Sequence, residues 1–256
     1  MNAVCIIPAR YGAQRFPGKP LAKATGKYLI QHVYENASRA RCFDQVIVAT
    51  DDERIAEAVR SFGGRVEMTR ADHPSGTDRI AEVAARLAAD VVVNVQGDEP
   101  HIRPALLETL VDLLARDESA EMATLASRCR DISEVLTPNV VKVVFDRRGR
   151  ALYFSRSVIP FDRAAFLAGE TFPYHNYFKH IGVYAYRREF LLRYPKMART
   201  PLEELESLEQ LRALENGHTL LVAEVDYAGR GIDTPQDYEA FVAEQAKAAG
   251  HPNKAR

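Results

Sequence analysis

Apolar residues arrive in two alternating rhythms through the first half of the chain. Ala3-Val4-Cys5-Ile6-Ile7 is an unbroken apolar run, the pattern of a strand buried on both faces. Leu29, Val33, Tyr34 and Ala37 then recur along one helix face and predict a helix over 29–40. The alternation repeats with a strand at 46–50 ending in Asp51-Asp52, a helix over 55–62 stopped by Gly63-Gly64, and a short strand at 66–68. A helix over 78–89, a strand at 91–95 and a helix over 104–116 with Pro104 at its start complete the series. Val91-Val92-Val93-Asn94-Val95 is the clearest core strand of a parallel sheet. Strands and helices in such alternation predict a doubly wound α/β fold.

The rhythm changes after about residue 120. Strand-like runs at 122–126, 140–145, 151–154 and 181–186 follow one another with few helices between them, which predicts an inserted antiparallel layer at about 122–190. That stretch carries Tyr153, Phe154, Phe161, Phe166, Phe172, Tyr174, Tyr177 and Phe178, a density of aromatics that suits a dimer surface. A helix over 203–216 closed by Gly217, a last strand at 220–225, the run Gly229-Arg230-Gly231-Ile232-Asp233-Thr234-Pro235 and a closing helix finish the chain. There is no repeat, low-complexity stretch or long linker, so 1–256 reads as a single domain, with its last ten or so polar, Ala-rich residues as a frayed tail.

Composition narrows the function classes. At 46% hydrophobic and 27% charged this is an ordinary globular chain, and a net charge of -1 argues against a general binder of nucleic acid or membrane surface. No apolar run approaches the ~20 residues of a membrane span, and the first one lacks the basic lead-in of a signal peptide. Cys5, Cys42 and Cys129 lie far apart without a C-x-x-C, the pattern of reduced thiols in a cytoplasmic protein. The seven histidines show no zinc-ligand spacing.

Chemistry concentrates just after the first strand, in Pro8-Ala9-Arg10-Tyr11-Gly12-Ala13-Gln14-Arg15-Phe16-Pro17-Gly18-Lys19-Pro20. Arg10, Arg15 and Lys19 sit in a Gly- and Pro-punctuated loop at the carboxyl end of a strand, the edge where open α/β sheets bind ligands. Free backbone N–H groups there make a polyanion cradle, and a triphosphate is the obvious guest. The loop is not a P-loop: five residues separate Gly12 from Gly18, and Pro20 stands where a hydroxyl would hold magnesium. No G-x-G-x-x-G is present to bind a dinucleotide. Asp98 follows the strand at 91–95 and Asp233 the strand at 220–225, a pair suited to Mg²⁺, which takes one or two carboxylates with phosphate oxygens and water. Each has a blander reading, Asp98 as a turn residue and Asp233 as an N-cap in competition with Thr234, but together with the cationic loop they favour metal-assisted nucleotide chemistry.

These residues lie in a series of segments that resembles the 3-deoxy-manno-octulosonate cytidylyltransferase family, which activates the sugar acid Kdo as CMP-Kdo for lipopolysaccharide. The segments are Ile7-Pro8-Ala9-Arg10-Tyr11, Arg15-Phe16-Pro17-Gly18-Lys19-Pro20-Leu21, Ala49-Thr50-Asp51, Met68-Thr69-Arg70-Ala71-Asp72-His73 and Ser75-Gly76-Thr77-Asp78-Arg79. They continue with Val93-Asn94-Val95-Gln96-Gly97-Asp98-Glu99-Pro100, Pro138-Asn139 with Val141-Lys142-Val143-Val144, Ala151-Leu152-Tyr153-Phe154-Ser155-Arg156, His180-Ile181-Gly182-Val183-Tyr184, Leu208-Glu209-Gln210-Leu211-Arg212 and Gly231-Ile232-Asp233-Thr234-Pro235. They span nearly the whole chain, in order and at compatible spacing.

The resemblance implies a Rossmann-like, GT-A-like nucleotidyltransferase sheet, mostly parallel, with an inserted antiparallel dimerisation layer, working as a homodimer. It implies that Arg10, Arg15 and Lys19 hold the phosphates of CTP and that Asp98 and Asp233 hold Mg²⁺, with Arg10, Lys19, Asp98 and Asp233 as the catalytic set. Ser75, Gly76, Asp78 and Arg79 would lie near the base and Gln96 near the ribose, while Arg156, His180, Tyr184, Glu209 and Gln210 would line the sugar site. Simple packing of His180 and Tyr184, and a solvated Gln210, stay open as other readings. The chain departs from the family pattern at Ala13, where Ser or Thr is common and Gln14 would have to supply the bond, at Tyr28, where proline is usual, and loosely over 164–178. The implied reaction is CTP + Kdo → CMP-Kdo + pyrophosphate, with an analogue such as 8-amino-Kdo as the alternative substrate. A sugar 1-phosphate nucleotidyltransferase and a nucleotide-sensing module are the remoter alternatives, the latter expected to have lost Asp98 or Asp233.

Overall fold

The structure is a computed structural model describing residues 1–12 and 15–250; the expected tail beyond 250 and the departure at Ala13 and Gln14 lie outside the described residues. The alternating half folds as β1 (Ala3–Ala9), α1 (Leu29–Ala37), β2 (Gln45–Thr50), α2 (Glu53–Ser61), β3 (Arg65–Met68), α3 (Gly76–Ala84), β4 (Val91–Asn94) and α4 (Pro104–Arg116). The remainder gives β5 (Met122–Arg128), α5 (Ile132–Leu136), β6 (Lys142–Phe145), β7 (Ala151–Ser155), α6 (Arg163–Ala168), β8 (Phe178–Arg187), α7 (Arg188–Arg193), α8 (Pro201–Glu206), α9 (Leu211–Glu215), β9 (Leu220–Glu224) and α10 (Pro235–Gly250). All seven main-path strands join one sheet in the order β3-β2-β1-β4-β8-β5-β9. Among them β8 alone runs antiparallel to its neighbours, so the sheet is mostly parallel.

Period-two alternation splits the core between the two faces of this sheet. Cys5, Ile7, Val91 and Val93 point into one layer with α1, α2 and α4, while Val4, Ile6, Ile47 and Val92 point into the other with α3 and α7. Each such side chain removed from water contributes about 1.5–3 kcal/mol, and the continuous apolar runs have no exposed face to spare. No helix among the described residues is long and apolar enough to cross a membrane.

The strands expected as a separate layer are distributed differently. β5 and β8 pair with each other inside the main sheet, and only the β6–β7 hairpin lies off its path, joined to β8 through Lys142 and Lys179. Local pattern shows that such strands exist but not which neighbours they choose. Two helices also differ from expectation. α3 begins at Gly76, two residues early, because the Ser75 hydroxyl accepts the Asp78 N–H as an N-cap. The helix expected over 203–216 is two, broken at Ser207, which adopts the left-handed conformation with φ 53°. A buried bidentate ion pair from Arg212 to Glu203 spans that break at 2.6 and 2.8 Å and fixes α9 against α8.

Candidate active site

Two strand ends and one loop build the polar cleft, of about 450 Å³, which is lined by Arg10, Arg15, Lys19, Gln96, Asp98 and Asp233 among others. β1 and β4 are neighbours, so the loop after β1 and the turn carrying Asp98 emerge side by side. They approach closely: a Cβ on Gly97 would lie 3.0 Å from the Pro8 carbonyl oxygen. The loop closes on itself where the Gly18 N–H donates to the Tyr11 carbonyl at 2.9 Å. Gly18 has φ 72°, a conformation that any side chain would strain, and the Tyr11 ring covers it. Arg54 stacks over the other end of this arrangement, its guanidinium 3.4 Å from the Tyr11 ring centroid.

Asp233 reaches the cleft because it is not the cap of α10. Thr234 takes that place: its hydroxyl accepts the Asp237 N–H at 3.2 Å while the Asp237 carboxylate accepts the Thr234 N–H at 2.8 Å. The Ile232 N–H donates to the Asp98 carbonyl at 2.8 Å and ties the two acidic turns together. Both carboxylates meet the loop cations. Lys19 Nζ lies 2.6 Å from Asp98 Oδ2 and 3.7 Å from Asp233 Oδ1, and Arg15 Nη2 lies 3.0 Å from Asp233 Oδ2. Glu99, next in sequence, is enclosed behind them; burial first and the neighbouring Asp98 charge second push its carboxyl up to about 7, against a hydrogen bond donated by Tyr227 at 3.0 Å.

The residues expected near the base form the cap and first turn of α3. Ser75 caps it, Asp78 places a carboxylate at the positive end of the helix, and Gly76 packs against Pro8 at the cleft floor. Arg79 is buried, 3.1 Å from Asp51 Oδ1 and 2.5 Å from the Thr69 hydroxyl, so its charge braces the ends of β2 and β3. Gln96 donates to Asn94 Oδ1 at 3.3 Å and lines the cleft.

The residues expected at the sugar fall into three groups. Glu209 and Gln210 lie in the break before α9. Glu209 accepts from Thr77 Oγ1 at 3.1 Å, and burial raises its carboxyl above the ordinary range. Gln210 is buried rather than solvated, and its Nε2 has no hydrogen-bond partner among the described residues, as is also true of the Ser127 and Tyr177 hydroxyls. Arg156 stands two residues past the Phe154 ring and donates to the carbonyls of Glu206, Pro138 and Ser207 at 2.8, 3.0 and 3.4 Å, bracing the same break.

His180 and Tyr184 form the third group. Four residues along a regular strand cover about 13 Å, yet the two ring centroids are 5.3 Å apart. The pairing of β5 with β8 explains this: the register jumps between Thr124 and Leu125, bulging Gly182 and Val183 out of the ladder. The Thr124 hydroxyl fills the bulge, 2.8 Å from the Val183 carbonyl and 2.9 Å from His180 Nε2. Enclosure between Phe154 and Tyr184 drives the His180 imidazole down to about 3, so it stays neutral. His180 lines a second cavity of about 490 Å³ with Glu99, Asn139, Lys179 and Gly231, adjoining the first through the turns that carry Asp98 and Asp233.

The sequence assigns no role to several residues that shape this site. Thr124 looks like an ordinary strand position, and Thr77 and Lys142 lie in segments of the resemblance without being singled out. Lys142 is wholly buried and donates to the carbonyls of Thr137, Val140 and Arg156 at 2.7–2.9 Å. A lysine in the middle of the apolar run Val141-Lys142-Val143-Val144 is the one sequence signal that could have marked it.

Comparison with known proteins fits this geometry. A family model described as cytidylyltransferase matches residues 4–221. The chain is 54% identical over 250 residues to the 3-deoxy-manno-octulosonate cytidylyltransferase of Geobacter metallireducens, covering 94% of this chain and 97% of that one. It is 53% identical to the protein of the same name from Pelobacter propionicus, over 96% of this chain and 100% of that one. A solved CMP:2-keto-3-deoxy-manno-octonic acid synthetase complexed with CTP superposes with a TM-score of 0.90 at 46% identity, over 97% of this chain and 100% of that one.

Proposed function

Because the chain belongs to the 3-deoxy-manno-octulosonate cytidylyltransferase family, we propose that its cleft joins CTP to Kdo, giving CMP-Kdo for lipopolysaccharide synthesis and releasing pyrophosphate. The observation that carries this reading is the meeting of Asp98, in the turn after β4, and Asp233, just before α10, with Lys19 and Arg15 of the loop after β1. Arg10, Arg15 and Lys19 are positioned to bind the triphosphate, and the charge-assisted bonds they make to it strengthen as negative charge gathers on the departing pyrophosphate. The first turn of α3, with Ser75, Gly76, Asp78 and Arg79, borders the base, and Gln96 the ribose. The anomeric hydroxyl of Kdo attacks the α-phosphorus in line; its oxygen forms the new bond to phosphorus, the bond to the β-phosphate oxygen breaks, and the hydroxyl proton leaves to solvent.

Asp98 and Asp233 fit Mg²⁺. Their carboxylates converge on one point, supply only oxygen, and are joined by no third ligand: no group of three or more His, Cys, Asp or Glu side chains suited to a metal occurs among the described residues. Two carboxylates with phosphate oxygens and water are what this ion takes. When bound, it would offset charge at the α-phosphate and lower the pKa of the attacking hydroxyl.

On the sugar side, Arg156, His180, Tyr184, Glu209 and Gln210 are the residues proposed to orient Kdo. The neutral imidazole, the unpaired Gln210 amide and the Glu209 carboxyl supply fixed donors and acceptors for its hydroxyls. Exposed Phe161, Phe166, Leu167 and Tyr174, on the segment between β7 and β8, support a homodimer contact there, which light scattering of the purified chain would test. Three free thiols fit the cytoplasm, where CTP is available. The decisive assay for the reaction measures pyrophosphate release with each of CTP, UTP, ATP and GTP against Kdo, 8-amino-Kdo and other acidic sugars. Turnover confined to CTP and Kdo is expected; comparable rates with UTP, or with a neutral sugar phosphate, would overturn the assignment.

A further inference from the structure

We propose that Lys19, assisted by Arg15, is a resident counter-ion that keeps the Asp98–Asp233 pair closed to free divalent cation, so that the metal enters with the nucleotide rather than before it. The proposal rests on the reading of those carboxylates as the metal ligands. Lys19 is 8% exposed and its ammonium is committed to this place: it donates to Asp98 Oδ2 and to the Ile232 carbonyl, both at 2.6 Å, and stands 3.7 Å from Asp233 Oδ1. A magnesium ion bound by both carboxylates needs them at about 2.0–2.1 Å. The ammonium, 2.6 Å from one carboxylate and 3.7 Å from the other, stands where such an ion would have to approach them. Arg15 engages the other oxygen of Asp233 at 3.0 Å, so both acidic side chains already hold a cation from the loop.

A free dication must therefore displace the buried Lys19 ammonium and then sit beside it, a repulsion that solvent reaching the exposed Asp233 side screens only in part. A triphosphate changes the balance. Its oxygens offer Lys19 and the mostly exposed Arg15 new anionic partners, and the same oxygens complete the shell of the metal. Release of the carboxylates and arrival of the metal then become one event. The loop that holds the phosphates is thus also the plug of the metal site, and the exchange costs little because cation is replaced by cation.

The test is direct binding of Mn²⁺ to the full chain without nucleotide, read by electron paramagnetic resonance of the free ion. Lys19→Gln removes the charge but keeps a donor for the Ile232 carbonyl; Lys19→Met removes both, and Lys19→Arg keeps the charge. The proposal expects Lys19→Gln or Lys19→Met to bind Mn²⁺ at least about tenfold more tightly than the unaltered protein, which is about 1.4 kcal/mol. Lys19→Arg should stay as weak as the original, and adding Asp98→Asn to Lys19→Gln should abolish the gain. Circular dichroism confirms that each variant is folded. If the neutral variants bind Mn²⁺ no better while turnover still requires Mg²⁺, the counter-ion role is overturned and the metal reading stands. If no variant binds Mn²⁺ and turnover survives exhaustive chelation, the metal reading itself falls, and this proposal with it.

Discussion

The cleft after β1 and the pocket around β8 handle charge in opposite ways. In the cleft, Arg15 and Asp233 are more than half exposed at their side chains and every carboxylate faces a cation. Around β8 three ionisable groups are driven toward neutrality: burial lowers His180, raises Glu209 and raises the Tyr184 hydroxyl. Exchangeable ion pairs suit a polyanion that arrives with its own cation, because one set of partners replaces another. Fixed neutral donors and acceptors suit a polyhydroxylated sugar, where one misplaced hydroxyl leaves a buried group unpaired and so is rejected. On the proposed function, charge supplies affinity in one region and geometry supplies selection in the other.

The sharpest way to break this contrast is Asp98→Asn, which removes charge with almost no change of shape. Turnover should fall by at least about 10²–10³-fold while the melting temperature holds, as expected for electrostatic stabilisation lost from a preorganised site. A variant that melts much earlier but keeps its specific activity would make Asp98 a turn residue after all. Arg156→Ala probes the other region. The KM for Kdo should rise about tenfold to a hundredfold with the KM for CTP unchanged, from the roughly 1.5–3 kcal/mol of a charge-assisted contact. Its carbonyl contacts to Glu206 and Ser207 mean that part of the loss would come through a loosened Glu209–Gln210 turn. Equal effects on both substrates would remove Arg156 from the sugar side.

His180→Gln tests neutrality itself. The imidazole in the folded chain titrates near 3, below its unfolded value of about 6.5. The unfolded state therefore takes up the proton first, so stability is full above about pH 6.5 and declines as the pH falls toward 3. Between pH 7 and pH 5 this one residue accounts for a loss of about 2 kcal/mol, which the Gln variant should not show in urea titrations. An unchanged acid loss would mean that His180 is charged in the pocket. The smallest effect belongs to Thr234→Ala, which should cost about 1 kcal/mol of stability by uncapping α10 while leaving the proposed Mg²⁺ dependence of turnover intact. A shift in that dependence would show that the cap and the position of Asp233 are not separable.

Much of the cleft is legible in the sequence. Continuous apolar strands force a sheet covered on both faces, a doubly wound sheet puts its ligands at the carboxyl ends of its strands, and Arg10, Arg15, Lys19, Asp98 and Asp233 all follow strands. Their roles depend on residue type and on position next to an element that local pattern determines. Even Thr234, with Pro235 behind it, carried the signal that left Asp233 free.

The β8 side was decided in three dimensions. Which strands β5 and β8 would join, the bulge that brings His180 within ring contact of Tyr184, and the left-handed turn at Ser207 that splits the expected helix all depend on partners far away in sequence. Thr124 completes the bulge from another strand, Arg156 holds the split from another hairpin, and Glu203 and Arg212 fasten its two sides. Propensity and periodicity act over neighbouring residues, whereas strand pairing, desolvation and buried hydrogen bonds take their value only when distant segments meet. The sequence by itself determined the sheet, its ligand-binding edge and the charged residues on it. Only packing determined which polar groups would be buried, neutral and fixed.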